Sequence, residues 1–427
     1  MIKFSIQLKI EFKIIDILCY ISHKIYKDKI IQTRYAHGLA ERVNKRSAGM
    51  RQKMIKTEIL EIKKQFSHEN CAITKICGCY VDGDKNIKTR LSEAFLCLPQ
   101  EETFKYFEIF KKTLSGTIGK NLINMEFPLD TEFSGGTQEF LLKLRDSELK
   151  DEAIVEEFYN KIIQMYDYVG NYLILVVYAA YDVPGKTNDK IMNNDASDEV
   201  YSYIVCDICP VNLSKPGLSY NSEDNLFQNR IQDWVVGAPY NGFLFPTFND
   251  RSADIHSILY YSKDSEALHN DFVNQLMGCE VPLSAGSQKQ TFQTLIEETL
   301  GDDCEYDVVR NIHEKLNEII EEHKDIPEPL TLNKAQVKNL LSESGVNEEK
   351  LKDFDMHYEE SAGKNVSLVA ANLVNTKVFE VKTADVIIKV NPECANLVET
   401  RMVDGRRCLV IEISDHVEVN GITVKSN

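Results

Sequence analysis

The polar segment Asn249–His256 carries the side chains best suited to acid–base chemistry. Arg251, Asp254 and His256 combine a cation, a carboxylate and an imidazole between two apolar runs. A carboxylate can orient a histidine as a general base, and an arginine can bind an anion through two parallel hydrogen bonds. If the segment is extended, its even-numbered residues share one face. We therefore predict a candidate catalytic site at Arg251, Asp254 and His256. The alternative is a structural loop held by its own Asn and Asp side chains.

A second candidate site is the helix start predicted after Pro282, at Ser284, Gly286, Ser287 and Lys289. A serine caps the first turn of a helix, and the free backbone N–H groups there attract anions. The pattern predicts a weak anion-binding site that could serve as the cofactor-binding or substrate-binding part of the first candidate. Ordinary helix capping explains the same residues.

Four of the eleven cysteines form two close pairs, Cys77 with Cys79 and Cys206 with Cys209. Together they could supply four thiolates to zinc, although structural zinc usually uses pairs separated by two to four residues. A redox pair and buried free thiols are the alternatives. No other residues indicate a metal site, so metal binding is not our first expectation.

The apolar runs that surround these candidates predict an α+β fold. Between residues 171 and 263 they are typical of strands, and the links between them are short or loop-like. Parallel strands need long crossovers, so short links favour antiparallel neighbours. We predict a mixed, mostly antiparallel central sheet with flanking helices, followed by a small β-rich C-terminal module.

Composition and two prolines divide the chain into four predicted segments. Pro327 and Pro329 break the helical pattern and mark a linker. The segments are a basic N-terminal extension outside the fold (residues 1–53), a main α+β domain (54–280), a helical segment (281–326) and a C-terminal module of helices and β-hairpins (327–427).

The net charge of −17 is unevenly distributed. Residues 1–56 contain thirteen Lys and Arg against four Asp and Glu, so the rest of the chain carries −26. Nucleic-acid binding requires a basic surface, which this acidic remainder does not offer, so we expect no nucleic-acid partner. The basic leader is interpreted as a tail outside the fold; a membrane-surface helix and a secretory signal are the alternatives.

Two further features of the sequence argue against a membrane protein and a secreted protein. No stretch of about 18 apolar residues is free of charge, so we expect no membrane span. Charged residues interrupt the apolar part of the leader, which argues against secretion. Eleven irregularly spaced cysteines in a large chain favour free thiols over a disulfide framework. The sequence therefore predicts a cytoplasmic protein.

Several stretches resemble a known family. They are ENCAITKICGCYVDGDKN, KTLSGTIGKNLINMEFPL, GTQEFLLKLRDS, AAYDVPGK, CPVNLSKPGL, GFLFPTFNDRSADIHS, PLSAGSQK and VETRMVDGRRCLVIEI. From about residue 54 onward the chain is similar to a family of bacterial proteins, mainly from anaerobic Gram-positive species, that is catalogued only as a domain of unknown function. The resemblance implies a bacterial cytoplasmic origin and supplies no activity, cofactor or catalytic residue.

Because the sequence contains no complete catalytic motif, we expect a non-catalytic binding or regulatory protein. Its partner would be another protein or a small anionic ligand. The first alternative is an enzyme that acts on an anionic small molecule, a phosphoester or nucleotide, through the Asn249–His256 segment. The second alternative is a thiol or zinc-binding protein.

Overall fold

A computed structural model of the chain describes residues 53–424 apart from residues 130, 131, 134, 187–191, 267, 365 and 414–416. The predicted N-terminal extension, except Lys53, lies outside the described residues. Among the residues described, no helix is both long enough and apolar enough to cross a bilayer.

Helices and strands are numbered in chain order. The helices are α1 (Lys56–Lys63), α2 (Gln100–Thr113), α3 (Thr137–Asp146), α4 (Glu152–Met165), α5 (Ala285–Leu300), α6 (Tyr306–Glu322), α7 (Lys334–Glu343), α8 (Phe354–Ser361) and α9 (Ala370–Leu373). The strands are β1 (Ile73–Val81), β2 (Ile87–Ala94), β3 (Leu122–Glu126), β4 (Asn171–Lys186), β5 (Met192–Leu213), β6 (Leu218–Asn221), β7 (Leu226–Asn229), β8 (Trp234–Val236), β9 (Asn241–Phe245), β10 (Thr247–Asn249), β11 (Ser252–Asp254), β12 (Ser257–Ser262), β13 (Thr331–Leu332), β14 (Leu368–Val369), β15 (Phe379–Lys382), β16 (Ile387–Val390), β17 (Val398–Val403), β18 (Arg406–Ile411), β19 (Val417–Val419) and β20 (Ile422–Val424).

Side-chain caps fix the starts of several helices. Asp151 accepts hydrogen bonds from the first backbone N–H groups of α4, and Ser284 does the same for α5. Asn333 and Gln336 form a reciprocal capping box at the start of α7. Such caps satisfy N–H groups that have no partner inside the helix.

The central sheet contains eight strands in the order β2-β1-β4-β5-β9-β12-β3, with β8 paired to the end of β5. Every pairing in this sheet is antiparallel. The predicted α+β fold with a mostly antiparallel central sheet is therefore confirmed.

Helices cover both faces of this sheet. On β4, Ile174 and Val176 pack with α3 and α4 on what we call the first face, while Leu175 and Val177 pack with α1 and α2 on the second. A strand buried on both sides has no polar face, which explains the continuous apolar run of β4.

Two segments of this region differ from what their sequence predicts. The polar residues 184–198 predict a loop, of which residues 187–191 lie outside the described residues, but β4 continues to Lys186 and β5 already begins at Met192. The ladder continues because backbone hydrogen bonds between paired strands do not require apolar side chains. The amphipathic pattern of residues 264–277 predicts a helix, but the structure has a π-helix at Phe272–Met277. The positive φ of 49° at His269 is incompatible with a continuous helix there.

A second hydrophobic core lies between residues 292 and 374. It contains buried side chains from α5, α6, α7 and α8, so it includes residues on both sides of the predicted linker. Beyond it, β15–β16, β17–β18 and β19–β20 form three β-hairpins. Asp404–Gly405 and Asn420–Gly421, pairs of residue types that favour tight hairpin turns, form the turns of the last two, with positive φ at all four residues.

Candidate functional site

The Asn249–His256 segment folds as a tight hairpin, so it is not one extended strand. β10 and β11 pair with Asn249 opposite Ser252, which leaves Asp250 and Arg251 as a two-residue turn. Both turn residues have positive φ, 46° and 60°, as this kind of hairpin requires. The even-numbered residues therefore do not share one strand face, and the predicted geometry is wrong.

Arg251 binds a carboxylate of the chain itself. Its Nη1 donates to both Glu61 oxygens, at 3.2 and 3.3 Å, and its Nη2 donates to the Pro184 carbonyl at 2.7 Å. The Tyr181 hydroxyl donates to the same Glu61 side chain at 3.0 Å. The carboxylate partner of Arg251 therefore comes from α1.

Asp254 does not orient His256 in the predicted way. Its Oδ1 accepts the backbone N–H of His256 at 3.1 Å, and its Oδ2 accepts hydrogen bonds from Asn249 and Ser257, both at 2.9 Å. These are the structural hydrogen bonds of the alternative interpretation. The carboxylate nearest to the imidazole belongs to Glu132, whose Oε1 lies 2.8 Å from Nδ1 of His256.

The His256–Glu132 pair is enclosed by the protein. The two side chains are 8% and 6% exposed, and the Phe133 ring lies edge-on to the imidazole. Sequence reasoning missed Glu132 because it is distant from His256 in the chain and no local pattern connects the two residues. A general base must reach its substrate, and burial of both partners opposes that role.

The predicted anion site at the start of α5 faces a negative charge. Ser284 accepts the backbone N–H of Ser287 at 3.0 Å, so the predicted cap forms. A methyl group at Gly286 would lie 1.5 Å from Oε2 of Glu266, so this carboxylate packs directly against the first turn. The adjoining cavity of about 670 Å³ is also lined by Asp167 and Asp271.

Lys289 does not contribute to that helix start. Its side chain is exposed, and its charge adds to burial in lowering the pKa of His313 on α6. The cavity at Ser284 and Ser287 is lined by none of the three residues proposed for catalysis. The two segments predicted to share a ligand are therefore not brought together in that cavity.

The four candidate zinc thiols do not converge. Cys77, Cys79 and Cys206 lie on the first face of the sheet, whereas Cys209 pairs with Leu173, which packs on the second. Val176 of β4 separates Cys77 from Cys206. Two strand spacings separate these thiols by roughly 10 Å, too far for one tetrahedral ion. Within the described residues, no group of three or more His, Cys, Asp or Glu side chains could hold a metal.

Burial also makes the same thiols poor nucleophiles. It raises the pKa of Cys77, raises that of Cys79 to about 11, and raises those of Cys206 and Cys209 well above the usual value. The thiolate is the reactive form of cysteine. These four cysteines therefore match the alternative of buried free thiols.

An exposed apolar surface extends from the sheet at residues Leu213–Val236, which we call the arm. β6 and β7 form its hairpin, and β8 returns to pair with the end of β5. Phe227 is 74% exposed and Trp234, the one tryptophan of the sequence, is 57% exposed. The other exposed large apolar side chains of the arm are Leu213, Leu218, Tyr220, Leu226, Ile231, Val235 and Val236.

Such a concentration of exposed apolar side chains is typical of a protein-interaction surface. The turn residues near Asn225 are typical of a hairpin, and β6 and β7 form one. The sequence did not predict the exposure, because alternating residues normally indicate one covered face. No helix of the described chain covers β7, all four residues of which are exposed.

Comparison with known proteins gives a family but no activity. The sequence model of a family described as "Domain of unknown function (DUF4317)" matches residues 54–422. The chain matches no curated protein closely enough for a function to be transferred.

Proposed function

The chain belongs to the family described as domain of unknown function DUF4317, and we propose that it is a non-catalytic binding protein whose partner binds the arm. The observation that carries this proposal is the exposure of nine large apolar side chains within residues Leu213–Val236. Aromatic anchors dominate the binding energy of many protein interfaces, so Phe227 and Trp234 are the expected centre of the contact.

The contacts and burial of the predicted catalytic residues support the same proposal. Arg251 is paired with Glu61, Asp254 accepts three structural hydrogen bonds, and His256 is buried beside Glu132. A catalytic role would require these groups to be available to a substrate. Their present contacts stabilise the fold.

The proposed partner is a different protein, with an apolar centre and a basic rim. The arm is nearly neutral, with Lys215 and Arg230 against Glu223, Asp224 and Asp233. The whole chain carries −17, so a second copy would be repelled, whereas a basic rim would be attracted.

We also propose a bacterial cytoplasmic location. The ten cysteines of the described residues are free thiols, five of them buried. Thiols persist in this form in a reducing compartment. The resemblance noted above supports a bacterial source.

Affinity selection tests the partner chemistry. A random peptide library would be selected against the immobilised full chain, and the enriched peptides would be synthesised and titrated. We expect aromatic, aliphatic and basic residues in these peptides. Phe227→Asp should weaken their binding about tenfold or more, because an interface anchor is lost.

Met402→Asp is the matched control, because Met402 is 67% exposed on a different hairpin. It should leave the affinity unchanged within about twofold. Acidic peptides, or equal affinity for Phe227→Asp, would contradict the proposal. Concentration-dependent dimerisation that Phe227→Asp abolishes would instead identify a second copy as the partner.

A further inference from the structure

A cavity of about 440 Å³, separate from the arm, lies beside the loop Ser115–Gly119. The Thr117 carbonyl accepts three hydrogen bonds, from the N–H groups of Lys120, Asn121 and Leu122. The N–H of Gly119 donates to the carbonyl of Leu122. These internal hydrogen bonds hold the loop in one shape.

Two glycines are required for that shape. Gly116 has φ +139°, and a methyl group there would lie 2.7 Å from Cβ of Asn121. Gly119 has φ +81°, and a methyl group there would lie 2.9 Å from Cγ2 of Val369. L-residues rarely adopt such φ values, so the loop depends on both glycines.

Three successive backbone donors of this loop are available. Among the described residues, the N–H groups of Gly116, Thr117 and Ile118 donate to no protein acceptor. All three residues line the cavity. Consecutive free N–H groups in a glycine-containing loop are a common binding arrangement for phosphate and other anions.

Positive side chains surround the same loop. Lys63 donates from Nζ to the Ser115 hydroxyl, and Lys56 and Lys324 also line the cavity. Burial lowers the pKa of Lys63 most, Lys111 and Lys112 lower it further, and Glu108, which pairs with Lys111, opposes them. This concentration of cations is notable because the chain after residue 56 carries −26.

The rest of the lining combines an imidazole with apolar groups. His323 lines the cavity, and its Nε2 is buried without a hydrogen-bond partner among the described residues. One carboxylate, Glu328, belongs to the lining, and Lys324 is paired with Glu321. Much of the remaining wall is apolar and includes Ile59, Leu114, Ile320, Pro327 and Leu330.

We infer that this cavity binds a small molecule with an anionic, phosphate-type head and an apolar body. Lys63 and the N–H groups of Gly116, Thr117 and Ile118 hold the head. The apolar wall receives the body, since removal of apolar surface from water favours binding. The inference is independent of the proposed function of the arm.

Calorimetric titration with hexyl phosphate tests the inference, because this probe joins a phosphate head to an apolar chain. Wild-type protein should bind hexyl phosphate and should bind hexanol at least about tenfold more weakly, because hexanol lacks the charge-assisted contacts. Lys63→Gln should weaken hexyl phosphate binding about tenfold.

Lys64→Gln is the matched control, because Lys64 is an exposed neighbour that does not line the cavity. It should retain the wild-type affinity. Thermal unfolding of each variant would verify that it is folded. Gly116→Ala is a second variant, which alters the loop without changing its charge. Absence of wild-type binding, equal binding of hexanol, or equal effects of Lys63→Gln and Lys64→Gln would overturn the inference.

Discussion

At the scale of single residues, Asp207 is a carboxyl group fully buried on β5. The Thr113 hydroxyl donates to its Oδ1, and its Oδ2 has no hydrogen-bond partner among the described residues. Burial raises the pKa of this carboxyl well above its ordinary value. The folded protein therefore favours the protonated form.

This shift predicts a pH dependence of stability. In the unfolded chain the carboxyl ionises near pH 4, whereas in the fold its pKa is higher. Its stabilising contribution is complete below the unfolded pKa and is lost as pH rises toward the folded pKa, by at most about 1.4 kcal/mol per pH unit. Asp207→Asn should therefore gain stability relative to wild type between about pH 5 and about pH 8.

Urea unfolding of both proteins at the two pH values measures this difference. Asp233→Asn, at an exposed residue of the arm, is the control. Its stability should equal that of wild type at both pH values. A constant difference between Asp207→Asn and wild type would show that the carboxyl does not titrate in this way.

Residue types alone predict the chemistry of a side chain but not which residue it contacts. Arg251 was expected to bind a ligand anion in bidentate fashion, whereas in the fold its Nη1 alone donates to both oxygens of Glu61. The identity of the partner could not be predicted, because Glu61 and Glu132 reach the hairpin only through the tertiary fold. Side-chain chemistry is local, whereas the choice of partner is long-range.

At the scale of elements, the Arg251–Glu61 pair fastens the β10–β11 hairpin to α1. Asp250 strengthens this attachment by donating its N–H to Glu58 at 2.8 Å. The Asp404–Gly405 turn agrees with its local sequence, because Asp-Gly favours positive φ. Asp250–Arg251 carries no such signal, and tertiary contacts hold Arg251 at φ 60°.

A double-mutant cycle with Arg251→Ala and Glu61→Ala tests this structural role. The side chains are 22% and 21% exposed, so we expect a coupling energy of about 1 kcal/mol in urea unfolding. The more exposed Lys143–Glu139 pair on α3 is the control, and its coupling should be clearly smaller because solvent screens exposed charges. No coupling at Arg251 would mean that the arginine is free for another role.

At the scale of the whole molecule, the family match starts at the first buried residue that the structure describes. Met54 is buried, its N–H donates to Oδ1 of Asn124 at 3.2 Å, and its carbonyl accepts from Nδ2 at 3.0 Å. The match also starts at residue 54. We propose on this basis that residues 54 onward fold without the leader, residues 1–53.

A chain that begins at Met50 should therefore unfold at the same temperature as the full chain, within about 2 °C. The shorter chain keeps Met54 and both of its hydrogen bonds to Asn124. Scanning calorimetry of the two chains makes the comparison. A clearly lower midpoint for the shorter chain would show that the leader contributes to the fold.

The class of the whole fold was predictable because burial on both faces leaves a long apolar run, as in β4. Two features of the surface were not predictable from the sequence. The exposure of the arm depends on which helices cover the sheet. The loop Ser115–Gly119 becomes a candidate site only beside Lys63, which is 52 residues from Ser115 in sequence.

The fluorescence of Trp234 tests the proposed role of the arm most directly, because the chain contains no other tryptophan. An indole that is 57% exposed should emit as in water and be quenched readily by acrylamide. Saturation with a selected peptide should shift the emission to shorter wavelength and protect it from the quencher. Emission that is already blue-shifted and protected in the free protein, or that does not change at saturation, would contradict the account.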